Sequence, residues 1–271
     1  MPREKVLITV KTYPTLSDKY GELVCTAGLR EDGSWIRLYP IPFRLQDQGA
    51  RFKKYQWIEL DVVKRTDDPR KESYSPVNLR GMTLGEELKP EDYRRHEAVY
   101  KSKIYTSIAE LTGGIKKDRV SLATFRPAKI KRMIEEPCER EWDEGKLQKA
   151  IKSVKQLTLF DDESIKELRL AFSPARKMPY RFKYVFEDAD GQECRLMVED
   201  WELGSLYFNC LKQYDEKTAV QKVKEKYMSF LKYPDLLFFL GTTKAFHAKA
   251  PNPFIIIGVY RQSPKMTRTL F

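Results

Sequence analysis

Histidine and cysteine, the residues that most often bind metals or act as nucleophiles, are sparse in this sequence. Only His96 and His247 occur among 271 residues, which argues against a His-rich metal site or a two-histidine mechanism. The four cysteines are far apart and form no C-x-x-C pair, so no zinc signature is present and a reducing cytoplasm is the expected compartment. His247 follows Lys244 in a predicted loop. It is a candidate phosphate contact there, with a solvated loop histidine as the alternative.

Acidic residues occur in two groups. Carboxylates are common metal ligands, but the spacing within these groups does not match that of a metal site. Glu59, Asp61 and Lys64 share one predicted strand, yet Asp61 and Lys64 point to opposite faces of a regular strand. The acids of residues 188–200 surround an Asp-x-Asp-Gly turn that lacks the remaining ligands of a calcium loop. We therefore predict no metal, no cofactor and no catalytic residue. A magnesium-dependent nuclease or nucleotide-processing enzyme that uses these acids is the alternative hypothesis.

Cations and aromatic residues alternate along two predicted hairpins. Trp35, Arg37 and Tyr39 share one strand face, and such a face can stack on unpaired bases while its cation follows the backbone. Ordinary cross-strand aromatic packing, or burial of these aromatic residues in the core, explains the same pattern. The residues predicted to bind nucleic acid are Trp35, Arg37, Tyr39, Arg44, Arg126, Lys129, Lys131, Tyr180, Arg181, Lys183, Lys244 and His247.

The overall charge favours the same partner. Lys and Arg number 50 against 39 Asp and Glu, a net charge of +11. Basic surfaces bind phosphate backbones by releasing condensed counterions. We therefore expect the protein to bind nucleic acid, and DNA in particular.

A short apolar run near the middle of the chain, QLTLF at residues 156–160, has the character of a docking peptide. Gln156 offers an amide, while Leu157, Leu159 and Phe160 offer apolar anchors. The run resembles the sliding-clamp-binding motif of bacterial replication and repair proteins, QL followed by Ser or Asp and then LF, from which Thr158 departs. That resemblance implies a sliding clamp or similar protein as a partner. The alternative is burial, because Leu147, Ile151, Val154 and Leu157 form one helical stripe.

These candidates must be positioned by short strands with interspersed helices. An apolar strand at residues 5–11, a hairpin around Asp32-Gly33 and a long strand at residues 55–65 are followed by a helix predicted at residues 100–111. The predicted class is α+β, with two small β-rich, OB-like barrel domains. The predicted boundaries are an N-terminal domain at 1–136, a helical linker at 137–176 and a C-terminal α+β domain at 177–271. No apolar run is long enough to span a membrane, so no membrane partner is expected.

Two longer patches, ELVCTAGLREDGSWIRLYPI and FLGTT with NPFIIIGVYR, resemble a dual OB-type family of prokaryotic proteins. The resemblance implies two oligonucleotide-binding-type barrels and a role in repair, mobile elements or phage defence. It does not identify any active-site residue. The leading hypothesis is a non-enzymatic nucleic-acid-binding accessory protein recruited to a sliding clamp. The nuclease and a protein-only adaptor subunit are the alternatives.

Overall fold

A computed structural model describes residues 2–46, 48–157, 172–247 and 249–265, with the backbone alone at residues 48, 118, 156 and 157. The strands are β1 (Arg3–Lys11), β2 (Thr15–Ser17), β3 (Gly21–Leu23), β4 (Thr26–Leu29), β5 (Trp35–Leu38), β6 (Gln56–Lys64), β7 (Ser73–Pro76), β8 (Thr83–Glu87), β9 (Ile104–Tyr105), β10 (Leu122–Phe125), β11 (Lys129–Pro137), β12 (Tyr180–Glu187), β13 (Glu193–Met197), β14 (Leu236–Thr242) and β15 (Phe254–Arg261). The α-helices are α1 (Tyr93–Tyr100), α2 (Ile108–Asp118), α3 (Glu144–Leu157), α4 (Trp201–Cys210) and α5 (Glu216–Met228). None of these helices combines the length and the apolar character needed to cross a membrane.

The N-terminal strands close into a barrel, called here the first barrel. The order is β1-β4-β5-β7-β6, and β1 also pairs with β6, which closes the ring. All neighbours are antiparallel except β5 and β7. This is the five-stranded Greek-key arrangement of an OB barrel.

The C-terminal strands follow the same order and form the second barrel. Its first strand is broken at Arg126-Pro127, so that β10 pairs with β14 while β11 pairs with β12. A hairpin links β12 to β13, and a parallel bridge from Val198 to Ile256 joins the end of β13 to β15. Antiparallel pairing of β15 with β14 completes the circuit. The helices α4 and α5 connect its third and fourth strands, so the predicted α+β class with OB-like barrels is confirmed.

The strands β10 and β11 mark where the chain passes from one barrel to the other. β10 and all of β11 except Pro137 lie within the N-terminal domain predicted from the sequence, yet both strands pair with strands of the C-terminal half. The prediction placed the boundary at the charged segment 135–143, whose Pro137 is the last residue of β11. The sheet partners instead assign the chain from β9 onward to the second barrel.

The two barrels share an apolar core, because β1 is buried on both faces. Val6 and Ile8 pack inside the first barrel. Leu7 and Val10 point outward into a cluster that includes Phe239 and Ile257 of the second barrel. This explains why the β1 sequence is apolar throughout rather than alternating.

Helix α3 packs against the β2–β3 hairpin. Val154 and Ala150 are buried, and Gly21 of the hairpin has a φ of +74° directly opposite Val154. The helix follows the predicted stripe, with Leu147 and Ile151 half-buried.

Candidate functional site

A cavity of about 600 Å³ lies between the barrels and is called here the interbarrel cleft. Three connections line it: residues 12–25 between the first and second strands of the first barrel, residues 65–72 between that barrel's fourth and fifth strands, and the start of the loop after β14 in the second barrel. OB barrels bind oligonucleotides and oligosaccharides through their strand one–two and four–five loops. The cleft is therefore placed where both barrels can contribute to one ligand.

Hydrogen bonds between the barrels fix these loops relative to each other. Arg70 donates to the carbonyl oxygen of Thr242 at 2.6 Å. The Glu72 carboxylate accepts from the backbone N–H of Ser121 at 3.1 Å and from its hydroxyl at 2.6 Å. Asp68 holds Arg70 through two oxygens, at 2.8 and 2.6 Å. Burial alone would raise the pKa of Asp68, but the hydrogen bonds from Arg70 outweigh it and hold that pKa well below its usual range.

Arg37, predicted to contact nucleic acid, is instead part of this junction. Its side chain is 1% exposed and donates to Ser121 Oγ at 2.8 Å and to the carbonyl oxygens of Ser121 and Thr242. Burial lowers the pKa of the guanidinium. Its Nε faces no hydrogen-bond partner among the described residues. Arg37 therefore lines the inner wall of the cleft rather than an open stacking surface.

The rim of the cleft carries cations beside aromatic rings. Arg65 lies over the Tyr39 ring at 4.9 Å, and Lys19 lies over Tyr20 at 5.3 Å. Lys244 reaches across from the second barrel to Asp67, which also binds Arg65. Burial raises the pKa of Tyr39, with a further contribution from Tyr20. Tyr39 and Lys244 were predicted as binding residues. Lys19 and Tyr20 were missed because they belong to a loop without the alternating pattern of a strand, and Arg65 was missed because it was the last residue of the strand predicted at 55–65.

Phe246 adds an exposed ring close to Lys244 in sequence. Its side chain is 60% exposed, and its N–H donates to the carbonyl of Thr243. The next residue, His247, is 7% exposed, and its Nδ1 lies 3.0 Å from Thr242 Oγ1. Burial lowers the pKa of His247. The structure thus gives His247 a contact that holds the loop, and leaves Phe246 as the exposed aromatic.

The remaining predicted residues are mostly engaged in packing or ion pairs outside the cleft. Trp35 packs edge-on against Phe239 at 5.2 Å, in the core shared by the barrels. Tyr180 packs on Tyr207, while Arg181 and Lys129 are exposed. The other cations pair with acids: Arg44 with Glu22, Arg126 with Asp235, Lys131 with Glu187 and Glu193, and Lys183 with Glu136. The two hairpins therefore do not form one binding face.

The acids of the alternative hypothesis have structural contacts. Arg3 lies within 3.5 Å of Glu59 and 4.0 Å of Asp61. Asp188 accepts hydrogen bonds from the backbone N–H groups of Ile108, Asp190 and Gln192, which explains its burial. Within the described residues, no three His, Cys, Asp or Glu side chains are grouped so that they could hold a metal ion.

The predicted docking peptide lies largely outside the described residues. Helix α3 ends at Leu157. Leu159 and Phe160, and the side chains of Gln156 and Leu157, are outside the described part of the chain.

The fold and the cleft together define a protein of two OB-like barrels joined by a polar junction. The chain belongs to the family described as domain of unknown function (DUF8757), whose model matches residues 105–271. Residues 2–101 match a second model, domain of unknown function (DUF8758). The two matches meet near β9, where the sheet partners change from the first barrel to the second. A comparison with curated proteins found no match.

Proposed function

We propose that the protein binds a single strand of nucleic acid, DNA in the first instance, in the interbarrel cleft. The observation that carries the proposal is the convergence of loops from both barrels on one cavity whose rim holds Lys19, Arg65 and Lys244. In OB barrels these loops are the oligonucleotide-binding elements. The net charge of +11 supports the same partner, because it favours association with a polyanion.

Aromatic rings near these cations supply the second part of the binding mode. Tyr20 and Tyr39 line the cleft, and Phe246 is exposed on the loop that carries Lys244. Stacking of a base on an aromatic ring contributes roughly 1 to 3 kcal/mol and tolerates any sequence. The expected complex therefore has phosphates on the cations and bases on the rings.

Fluorescence anisotropy with a labelled oligothymidylate of about 12 nucleotides tests the proposal, since one OB barrel covers roughly 4 to 16 nucleotides. The full chain is expected to bind, with affinity that falls steeply as salt rises. Phe246→Ala is expected to weaken binding roughly fivefold or more. Tyr214→Ala is the matched control, because Tyr214 is also exposed, at 42%, but lies between α4 and α5 rather than on the loop that carries Lys244. Absence of binding at low salt, or equal effects of both substitutions, would overturn the proposal.

We also propose that a sliding clamp recruits the protein, in repair, mobile-element or defence systems. The basis of this proposal is the sequence of residues 156–160. The test is retention of a purified bacterial sliding clamp on the immobilised full chain. A double substitution, Leu159→Ala with Phe160→Ala, is expected to abolish retention, because it removes both apolar anchors. Unchanged retention would contradict the docking hypothesis and leave nucleic-acid binding unaffected.

A further inference from the structure

Glu199 lies on the wall of the interbarrel cleft, and its carboxylate accepts no hydrogen bond from the residues that the structure describes. Its N–H donates to the carbonyl of Ile256, and its own carbonyl accepts from the N–H of Tyr13 at 3.3 Å, so its backbone is fixed at the seam between the barrels. Glu199 is one of the residues that line the cavity, and its side chain has no hydrogen bond or close ion pair with the described residues, Arg181 being the cation that acts on it at longer range. Burial raises the pKa of Glu199, an effect that Arg181 offsets in part.

Burying part of a carboxylate without hydrogen-bond donors costs desolvation free energy. A ligand that donates hydrogen bonds to the carboxylate offsets part of this cost. A phosphate cannot do so, because it is an anion and is repelled by Glu199. If a nucleotide enters the cleft, its phosphate must therefore lie with the rim cations, and its base must face Glu199.

The geometry of a carboxylate then selects among the bases. Its two oxygens accept two parallel N–H bonds, as they do from arginine. Guanine presents two neighbouring donors on its Watson–Crick edge, N1–H and the N2 amino group, whereas adenine and cytosine present one amino group and thymine a single ring N–H. Unpaired bases are commonly read on this edge while they stack on aromatic side chains.

We propose that the interbarrel cleft takes one unpaired guanine, whose N1–H and N2–H groups donate to the Glu199 carboxylate. The inference rests on the proposed nucleic-acid-binding function and adds a base preference to it. The cavity of about 600 Å³ is within the size range of small-ligand sites. Tyr20 and Tyr39 supply the aromatic surface, while Lys19, Arg65 and Lys244 supply the phosphate contacts at the rim.

Anisotropy titrations of the full chain test this preference. The probes are a labelled oligothymidylate of about 12 nucleotides and the same strand with one central guanine, adenine, cytosine or hypoxanthine. A guanine is expected to raise affinity roughly tenfold over thymine, the size expected for one bidentate base contact. Hypoxanthine lacks the N2 amino group and is expected to lose most of that gain. Glu199→Gln is expected to remove the guanine preference, measured as the ratio of the affinities for the guanine-containing and all-thymine strands, since the amide offers only one acceptor.

The outcomes separate this inference from the function on which it rests. Binding of the all-thymine strand without a guanine preference overturns the inference alone, as does a preference that survives Glu199→Gln or the loss of the amino group. Failure of every strand to bind overturns both proposals. The hypoxanthine comparison uses the unmodified protein, and therefore decides the question even if Glu199→Gln does not fold.

Discussion

Arg70 of the first barrel donates a hydrogen bond to the carbonyl oxygen of Thr242 in the second barrel, with 2.6 Å between Nη1 and the oxygen. Thr242 is the last residue of β14, and the loop that follows it carries Lys244 and Phe246. Asp68 binds the same guanidinium from its other side. One arginine thus connects the strand four–five loop of each barrel.

Arg70→Ala is expected to lower the free energy of unfolding by roughly 3 kcal/mol, because it leaves the buried Asp68 carboxylate without its partner. Urea denaturation followed by circular dichroism measures the change. Arg94→Ala is the matched control, since Arg94 forms its ion pairs with Glu86 and Asp92 at the surface. Arg94→Ala should lower the free energy of unfolding by less than about 1 kcal/mol. Similar costs for the two variants would show that the junction does not depend on Arg70.

The Asp68–Arg70 pair also predicts a pH dependence. The pKa of Asp68 is lower in the folded protein than the unfolded value of about 3.9, so the folded state favours its ionised form. The stabilisation is therefore fully present above about pH 4 and is lost as the pH falls through the folded pKa. Asp68→Asn should reduce stability at pH 7 and show a smaller difference from the unmodified protein at about pH 3. The measurement is urea unfolding of both proteins across this range, and a difference that stays constant would contradict the assignment.

The ion pairs of Lys54 are expected to make a second contribution to stability between the barrels. It is largely buried and lies 3.2 Å from Asp200 and 2.6 Å from Glu202, at the start of α4. Burial would lower its pKa, but these two acids outweigh it and raise the pKa above its usual value. Lys54→Ala leaves Asp200 buried without its cation, so a loss of roughly 3 to 5 kcal/mol is expected in urea unfolding. The neighbouring Lys53 pairs with Glu87 at the surface, and Lys53→Ala should cost less than about 1 kcal/mol.

A substitution at Gly21 tests how closely α3 packs on the β2–β3 hairpin. A Cβ at Gly21 would lie 2.1 Å from Val154 Cγ2. Gly191 has a similar φ, +78° against +74°, but no atom within 4 Å of the equivalent position. Both alanine variants incur the left-handed backbone cost of about 1 to 2 kcal/mol, and only Gly21→Ala adds a steric clash. Thermal unfolding should therefore show a clearly larger loss for Gly21→Ala, and equal losses would mean that α3 shifts freely to accept the methyl group.

Local patterns predicted the strands well, because alternation and turn residues act over a few positions. The hairpin of β4 and β5 follows from Asp32-Gly33, where Gly33 has a φ of +83°. The helix predicted at residues 100–111 was wrong. Ile104 belongs to β9, and α2 begins after Ser107, whose hydroxyl accepts from the N–H of Glu110. Apolar spacing suggested one continuous helix, whereas the cap residue at Ser107 marks the true start.

The site was harder to predict because it depends on contacts between distant parts of the chain. Arg37 alternates with aromatic residues as a surface cation would, but its partners, Ser121 and Thr242, are 84 and 205 residues away in sequence. Glu199 was grouped with neighbouring acids as part of a hairpin turn. Its proximity to the first barrel comes from the bridge between Thr12 and Asp200, which no local pattern indicates. Pairing of the two barrels therefore determines which charged residues line the cleft.

The shared core has a consequence for how the protein is made. Leu7 and Val10 are synthesised more than 200 residues before Phe239 and Ile257, which lie in the same apolar cluster. Domains synthesised first normally begin to fold first. Here the first barrel keeps an uncovered apolar face until the second barrel has been synthesised, and its expression as a separate fragment would leave that face permanently open to self-association.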